Sequence, residues 1–137
     1  MTLAPVTASP IDVGTLLAEV AGVGRGATVL FLGSVRRSDE DGPVRAIEYS
    51  SYEEMVGAEL ERILDEAARR WPGLGCAVQH RTGSVPLGEA SIAVAAAAAH
   101  RGTAFEACRF VVDEAKRRLP VWKHEQLDDG TVRWREG

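Results

Sequence analysis

Two stretches of this chain carry apolar residues close to a 3.6-residue period, and each is closed by a proline. The first opens on Ser51-Tyr52-Glu53-Glu54, a capping-box pattern, and continues with Val56, Leu60, Ile63, Leu64, Ala67 and Trp71 before Pro72-Gly73. The second opens on Thr103-Ala104-Phe105-Glu106, with Ala104, Cys108, Val111, Val112, Ala115 and Leu119 on one stripe before Pro120. Two amphipathic helices with one apolar face each must be buried against something, and the segments around them read as strands. This alternation restricts the chain to helices layered on a sheet.

The remaining elements follow from local pattern. Asp12 is a predicted N-cap for a short helix carrying Val13, Leu16, Leu17 and Val20. Ala27 to Leu32 is an apolar run bounded by glycines and reads as a buried strand. Ser34 to Pro43 is polar and turn-rich, hence a loop, and Val44 to Ser50 alternates as a strand. Cys76 to Arg81 reads as a strand and Ser84 to Gly88 as its turn. Ser91 to Ala99 is ambiguous: alanine favours helix, but Gly88 before it and the His100-Arg101-Gly102 break after it favour a strand. Val121 to Leu127, the Asp128-Asp129-Gly130 turn and Thr131 to Arg135 form a C-terminal hairpin. Residues 1–10 are either an edge strand or a loose tail. The expectation is one domain over residues 1–137, of α+β class, with helices packed on a mostly antiparallel sheet.

Charge and cysteine content narrow the function. Sixteen basic and 20 acidic residues leave a net charge of −4, which argues against sequence-independent nucleic-acid binding. No apolar run approaches the ~20 residues that span a bilayer, and the N-terminus lacks the basic and apolar regions of a secretory signal. Two cysteines, Cys76 and Cys108, are too few for a disulfide framework, so a cytoplasmic location is expected. Gly22 to Ala27 matches G-x-G-x-x-A but follows a helix and precedes a strand, the reverse of the dinucleotide-binding order. Cys76 and His80 would lie about 13 Å apart on a strand, too far to share one ion. No metal is expected. Cys108 sits on an apolar stripe and reads as a small buried hydrophobe.

Three polar features remain. Lys116 and Lys123 are the only lysines among the 16 basic residues. Where charge alone suffices this chain uses arginine, whereas a lysine amine can also act as nucleophile or acid/base. Two solvated surface lysines are the plain alternative. His100-Arg101-Gly102-Thr103 stands where a strand meets a helix start, a place suited to an anion, although both side chains could simply solvate the turn. Ser34-Val35-Arg36-Arg37 puts two guanidinium groups at a strand end, where they can clamp an anion. Together these features suggest a basic pocket on an acidic protein.

The residues carrying these features also carry a resemblance. Phe31-Leu32-Gly33-Ser34-Val35-Arg36, Ala99-His100-Arg101-Gly102-Thr103-Ala104-Phe105-Glu106-Ala107 and the stretch from Lys116 to Glu125 resemble the large, catalytic subunit of molybdopterin synthase, the MoaE family, in order and spacing. The similarity runs from about Ile11 to Trp134. It implies an α/β-hammerhead-type fold and a sulfurtransferase of molybdenum cofactor biosynthesis. Such an enzyme converts cyclic pyranopterin monophosphate into molybdopterin with sulfur from the C-terminal thiocarboxylate of a small ubiquitin-like partner. It implies a heterotetramer built on a homodimer of the large subunit, and no cofactor.

Residue by residue, the resemblance implies that Lys116 is catalytic. Arg36, His100 and Arg101 would hold the pterin phosphate, with Ser34 and Val35 lining the loop, and Lys123, His124 and Glu125 would form a second substrate-contacting stretch. Many family members have lysine where this chain has Ser34, so one positive charge is missing there. The chain lacks the Gly-Gly end expected of the sulfur carrier, which makes it the acceptor side of the pair. Two other readings use the same pocket: a non-catalytic module binding a phosphorylated metabolite or a ubiquitin-like tail, and an enzyme with a Schiff-base lysine.

Overall fold

The computed structural model of the chain describes residues 3–36, 44–51 and 53–136. Asp12 caps the first helix as its position before Val13 suggests: its carboxylate accepts from the Thr15 N–H at 3.1 Å. The elements run β1 (Val6–Thr7), α1 (Val13–Val20), β2 (Ala27–Ser34), β3 (Val44–Ser51), α2 (Glu53–Arg70) and β4 (Gly75–Arg81). They continue with β5 (Gly83–Pro86), β6 (Ala90–Ala98), α3 (Arg101–Arg118), β7 (Val121–Leu127) and β8 (Val132–Glu136). The α+β class and the C-terminal hairpin are as expected.

The strands form two four-stranded sheets rather than one, ordered β1-β4-β6-β2 and β5-β3-β7-β8. Every pairing is antiparallel except β1 with β4. The chain crosses between the sheets where β4 ends at Arg81 and β5 starts at Gly83, whose φ of +81° favours glycine at this corner. The predicted turn at Ser84 to Gly88 is therefore corrected. Residues 83–86 pair with β3, and the reversal comes at Gly88, φ +87°. A strand this short, carrying Pro86 at a sheet edge and burying only Val85, leaves almost no alternation to read.

The ambiguous alanine-rich segment forms the interior strand β6, Ala90–Ala98, buried on both faces. Ala93, Ala95 and Ala97 pack with Leu16 and Val20 of α1. Val94 and Ala96 face the larger core, with Leu60 and Ile63 of α2 and Ala107, Val111 and Ala115 of α3. A strand covered on both sides shows no polar alternation, which is why its sequence resembles a helix.

The second capping box is displaced. Helix α2 is described from Glu53 and β3 to Ser51, and Tyr52 lies outside the described residues. Helix α3 starts at Arg101 with His100 as N-cap, and that imidazole makes no capping hydrogen bond. The turn from β6 leaves two residues before α3, so Thr103 falls inside the first turn. At the other end of α3, Arg118 bridges to Glu59 and Glu66 of α2, each at 2.6 Å, and fixes the end of the helix. These partners raise the guanidinium's pKa, and Arg118, ahead of Arg62, lowers that of Glu59.

Because helices cover both faces of β6, a larger side chain there has nowhere to go. Ala95→Leu is expected to lower unfolding free energy by about 1–3 kcal/mol through overpacking, read from the denaturant midpoint at unchanged m-value.

Candidate functional site

The last turns of α3 run beside the second sheet. Ala115 is buried, and Lys116 follows it at the helix border. Strand pairing supplies the opposite wall. Tyr49 lies opposite Lys123 and Ile47 opposite Glu125, so these four share one sheet face, while His124 pairs with Glu48 on the alternate positions. The loop after β2 closes the side. Val35 is buried, its N–H donates to the Glu89 carbonyl at 2.9 Å, and its own carbonyl accepts from Gly88 N–H at 2.8 Å. This pinning sets Ser34 and Arg36 at the rim.

The result is a hollow with two lobes that share Tyr49, Lys116 and Lys123. The outer lobe, about 270 Å³, adds Ser34, Arg36 and Glu125. The inner lobe, about 60 Å³, adds His80, Ser91 and Leu119. Three cations thus border one space in a protein of net negative charge. Glu125 is buried in the wall and takes two hydrogen bonds from the Arg133 guanidinium, at 3.0 and 3.2 Å. That bidentate pair holds the carboxylate in place.

The inner lobe contains groups that local sequence pattern does not single out. His80 is 6% exposed, and its ring stands edge-on to Tyr49 with centroids 5.4 Å apart. Its Nδ1 lies 2.8 Å from the Arg81 carbonyl. A carbonyl only accepts, so Nδ1 carries the hydrogen and Nε2 the free lone pair. Burial pushes the imidazole down to about 4. The Arg81 carbonyl opposes the shift, and the charges of Lys123 and Lys116 add to it. Burial also raises the Tyr49 phenol, with Ser91 acting against it. The two thiols are both raised by burial, Cys76 to about 12. Cys108 packs in the core as an apolar residue.

The residues anticipated as one site are not all together. Ser34, Val35, Arg36, Lys116, Lys123 and Glu125 line the outer lobe. His124 lines neither lobe, since it alternates with Lys123 along β7. His100 and Arg101 stand at the opposite end of α3, 15 positions from Lys116, or about 22 Å along the axis. His100 borders a separate cavity with Arg25, Gly73 and Thr103. Arg37 lies outside the described residues. Tyr49, His80 and Ser91 were missed because only the pairing of β3 with β7 and the corner after β4 bring them here. Their alternation marks a face but not what that face meets.

The fold defines an α+β domain with a hollow bordered by two lysines and an arginine. The chain belongs to the MoaE protein family, whose sequence profile matches residues 6–118. It is 40% identical over 135 residues to the molybdopterin synthase catalytic subunit of Emericella nidulans, spanning 98% of this chain and 65% of that protein. It is 43% identical over 121 residues to the subunit of that name from Pyrococcus abyssi, spanning 88% of this chain and 81% of that one. The structure of molybdopterin synthase from Staphylococcus aureus superposes with a TM-score of 0.93 at 26% identity, over 100% of this chain and 99% of the other. The MoaE protein of Burkholderia ambifaria gives 0.77 at 38% identity, over 99% of this chain and 90% of the other.

The buried imidazole makes stability depend on pH. Above its ordinary value of 6.5 it is neutral folded or unfolded. As pH falls from 6.5 toward about 4, the unfolded chain takes up a proton that the folded protein refuses. Folding is therefore expected to lose about 3 kcal/mol across that window, and this group's contribution levels off below it. Denaturant midpoints at pH 7.5 and 4.5 check this: His80→Asn should show the shallower slope.

Proposed function

We propose that this chain is the catalytic subunit of a molybdopterin synthase. It would convert cyclic pyranopterin monophosphate to molybdopterin with sulfur from the C-terminal thiocarboxylate of a small ubiquitin-like partner. The observation that carries this reading is the outer lobe, where Arg36, Lys116 and Lys123 face one space. A phosphorylated heterocycle and an acyl-sulfur terminus are both anionic, and they repel each other unless cations lie between them. Arg36 is suited to fork onto the phosphate. Lys116 stabilises the charge that develops as sulfur attacks, and Lys123 neutralises the second anion. Ser34 and Val35 shape the rim, and Glu125 keeps Arg133 against the wall. His124 belongs to the same stretch from the reverse face of the strand.

His100 and Arg101 enter this site from a second copy of the chain. Strand β2 is an edge of its sheet, and α1 leaves its outward face uncovered: Leu30 is 36% and Leu32 43% exposed, beside Phe105 at 61%. Ala27, at the start of β2, pairs with Ala98, two residues before His100, and β2 ends at Ser34. Antiparallel pairing of two β2 edges about a two-fold axis would bring one copy's His100 end to the other's Ser34 end. The strand is about 26 Å long by its rise, comparable to the separation along α3. This supports a homodimer with two shared sites, the core of a heterotetramer with one small subunit at each end. Among the described residues no helix is long and apolar enough to cross a membrane. We place the protein's work in the cytoplasm, where Cys76 and Cys108 stay reduced.

Reconstitution with thiocarboxylated carrier and the cyclic phosphate tests the reading. Lys116→Ala is expected to lower turnover by about 100-fold or more with the far-UV spectrum unchanged. Lys116→Arg should also fail, because a planar fork cannot put its charge where the compact ammonium group sits. Ligand binding that survives in Lys116→Arg, with no turnover by the wild-type protein, would instead favour a non-catalytic module. Lys116→Ala and Arg101→Ala proteins, each inactive alone, should recover roughly a quarter of wild-type activity after subunits exchange at random. No recovery would remove Arg101 from a shared site.

A further inference from the structure

We propose that His80 is a further catalytic residue of this hollow: its Nε2 holds, in the inner lobe, the water that cleaves the acyl–sulfur bond of the carrier's terminal glycine. The inference rests on the sulfur-transfer reading and adds to it the step that frees the carrier. When the thiocarboxylate sulfur bonds to the pterin carbon, it is still attached to the glycine acyl carbon as a thioester. The sulfur becomes part of the product only if that carbon–sulfur bond breaks. Water oxygen adds to the acyl carbon, and the bonding pair leaves with sulfur as a thiolate. One water proton passes to Nε2 and then to solvent, and the carboxylic acid formed releases its own.

The inner lobe suits this step. Its 60 Å³ has room for water, and a buried water needs two to four polar partners. Tyr49, His80, Ser91, Lys116 and Lys123 supply them. Among these only the imidazole offers a basic lone pair with no hydrogen of its own. The lysines in their charged form are donors only, Ser91 Oγ donates to the Gly33 carbonyl at 3.2 Å, and burial holds the Tyr49 phenol protonated. The Nδ1–H bond to Arg81 fixes the tautomer, and Tyr49 fixes the ring plane. This is the arrangement of a positioned general base. Nε2 takes no hydrogen bond from any described residue.

A single-turnover experiment separates attack from release. Wild-type protein, thiocarboxylated carrier and cyclic phosphate are mixed and followed by intact mass. In His80→Asn the side-chain amide can still donate to the Arg81 carbonyl, but the Nε2 position is gone. In His80→Gln an amide can hold water but cannot take a proton. Both variants are expected to consume thiocarboxylate at near the wild-type rate. Carrier should then accumulate joined to the pterin, with its release slowed about 100-fold. Hydroxylamine, which needs no base, should clear that adduct as carrier hydroxamate. Release at the wild-type rate, or attack and release falling together without adduct, overturns the role of His80. No product with wild-type protein overturns the sulfur-transfer reading as well.

Discussion

The architecture depends on one strand being thin enough to be covered twice. β6 presents Ala93, Ala95 and Ala97 to α1 and Val94 and Ala96 to the core beneath α2 and α3. Small side chains let helices approach both faces without voids. Because α3 packs against this strand along its length, its far end is carried to the junction of the two sheets, where Arg118 bridges to Glu59 and Glu66. That packing gives Lys116 its place.

Around Lys116 the protein concentrates positive charge against its overall balance. Arg36, Lys116 and Lys123 converge on the outer lobe, while the acidic excess lies elsewhere, much of it on α2. The buried groups in contact with this charge are of two kinds. Glu125 is ionically matched by Arg133, and His80 remains neutral because burial and the neighbouring lysines both disfavour a third cation. A hollow arranged in this way attracts anions at its mouth and keeps an uncharged base in its depth.

The two ends of α3 carry two halves of the polar apparatus. Lys116 lies at the C-terminal end, and His100 and Arg101 lie at the N-terminal end. A helix is a rigid spacer of 1.5 Å per residue, so these halves cannot meet within one chain. The open edge of β2, with its exposed leucines, runs alongside the same helix with the same two ends. The proposed assembly about a two-fold axis would resolve both features, by covering the edge and joining unlike halves.

Much of this was legible in the residues alone. The period of Val56, Leu60, Ile63 and Ala67 determined α2, and the stripe from Ala104 to Ala115 determined most of α3, because a helix that buries one face must repeat near 3.6 residues. The scarcity of lysine pointed to Lys116 and Lys123, and the carbon skeleton of the hairpin followed from its turn residues. Local pattern placed the start of α3 three residues too late, since the tight turn after β6 overrides side-chain capping there. It also could not divide the strands between two sheets, because alternation assigns a face and not a neighbour. Only the tertiary structure separated His100 and Arg101 from Lys116, turned His124 away from Lys123, and brought Tyr49, His80 and Ser91 to the amine. These are contacts between residues distant in sequence, set by packing geometry that no local period encodes.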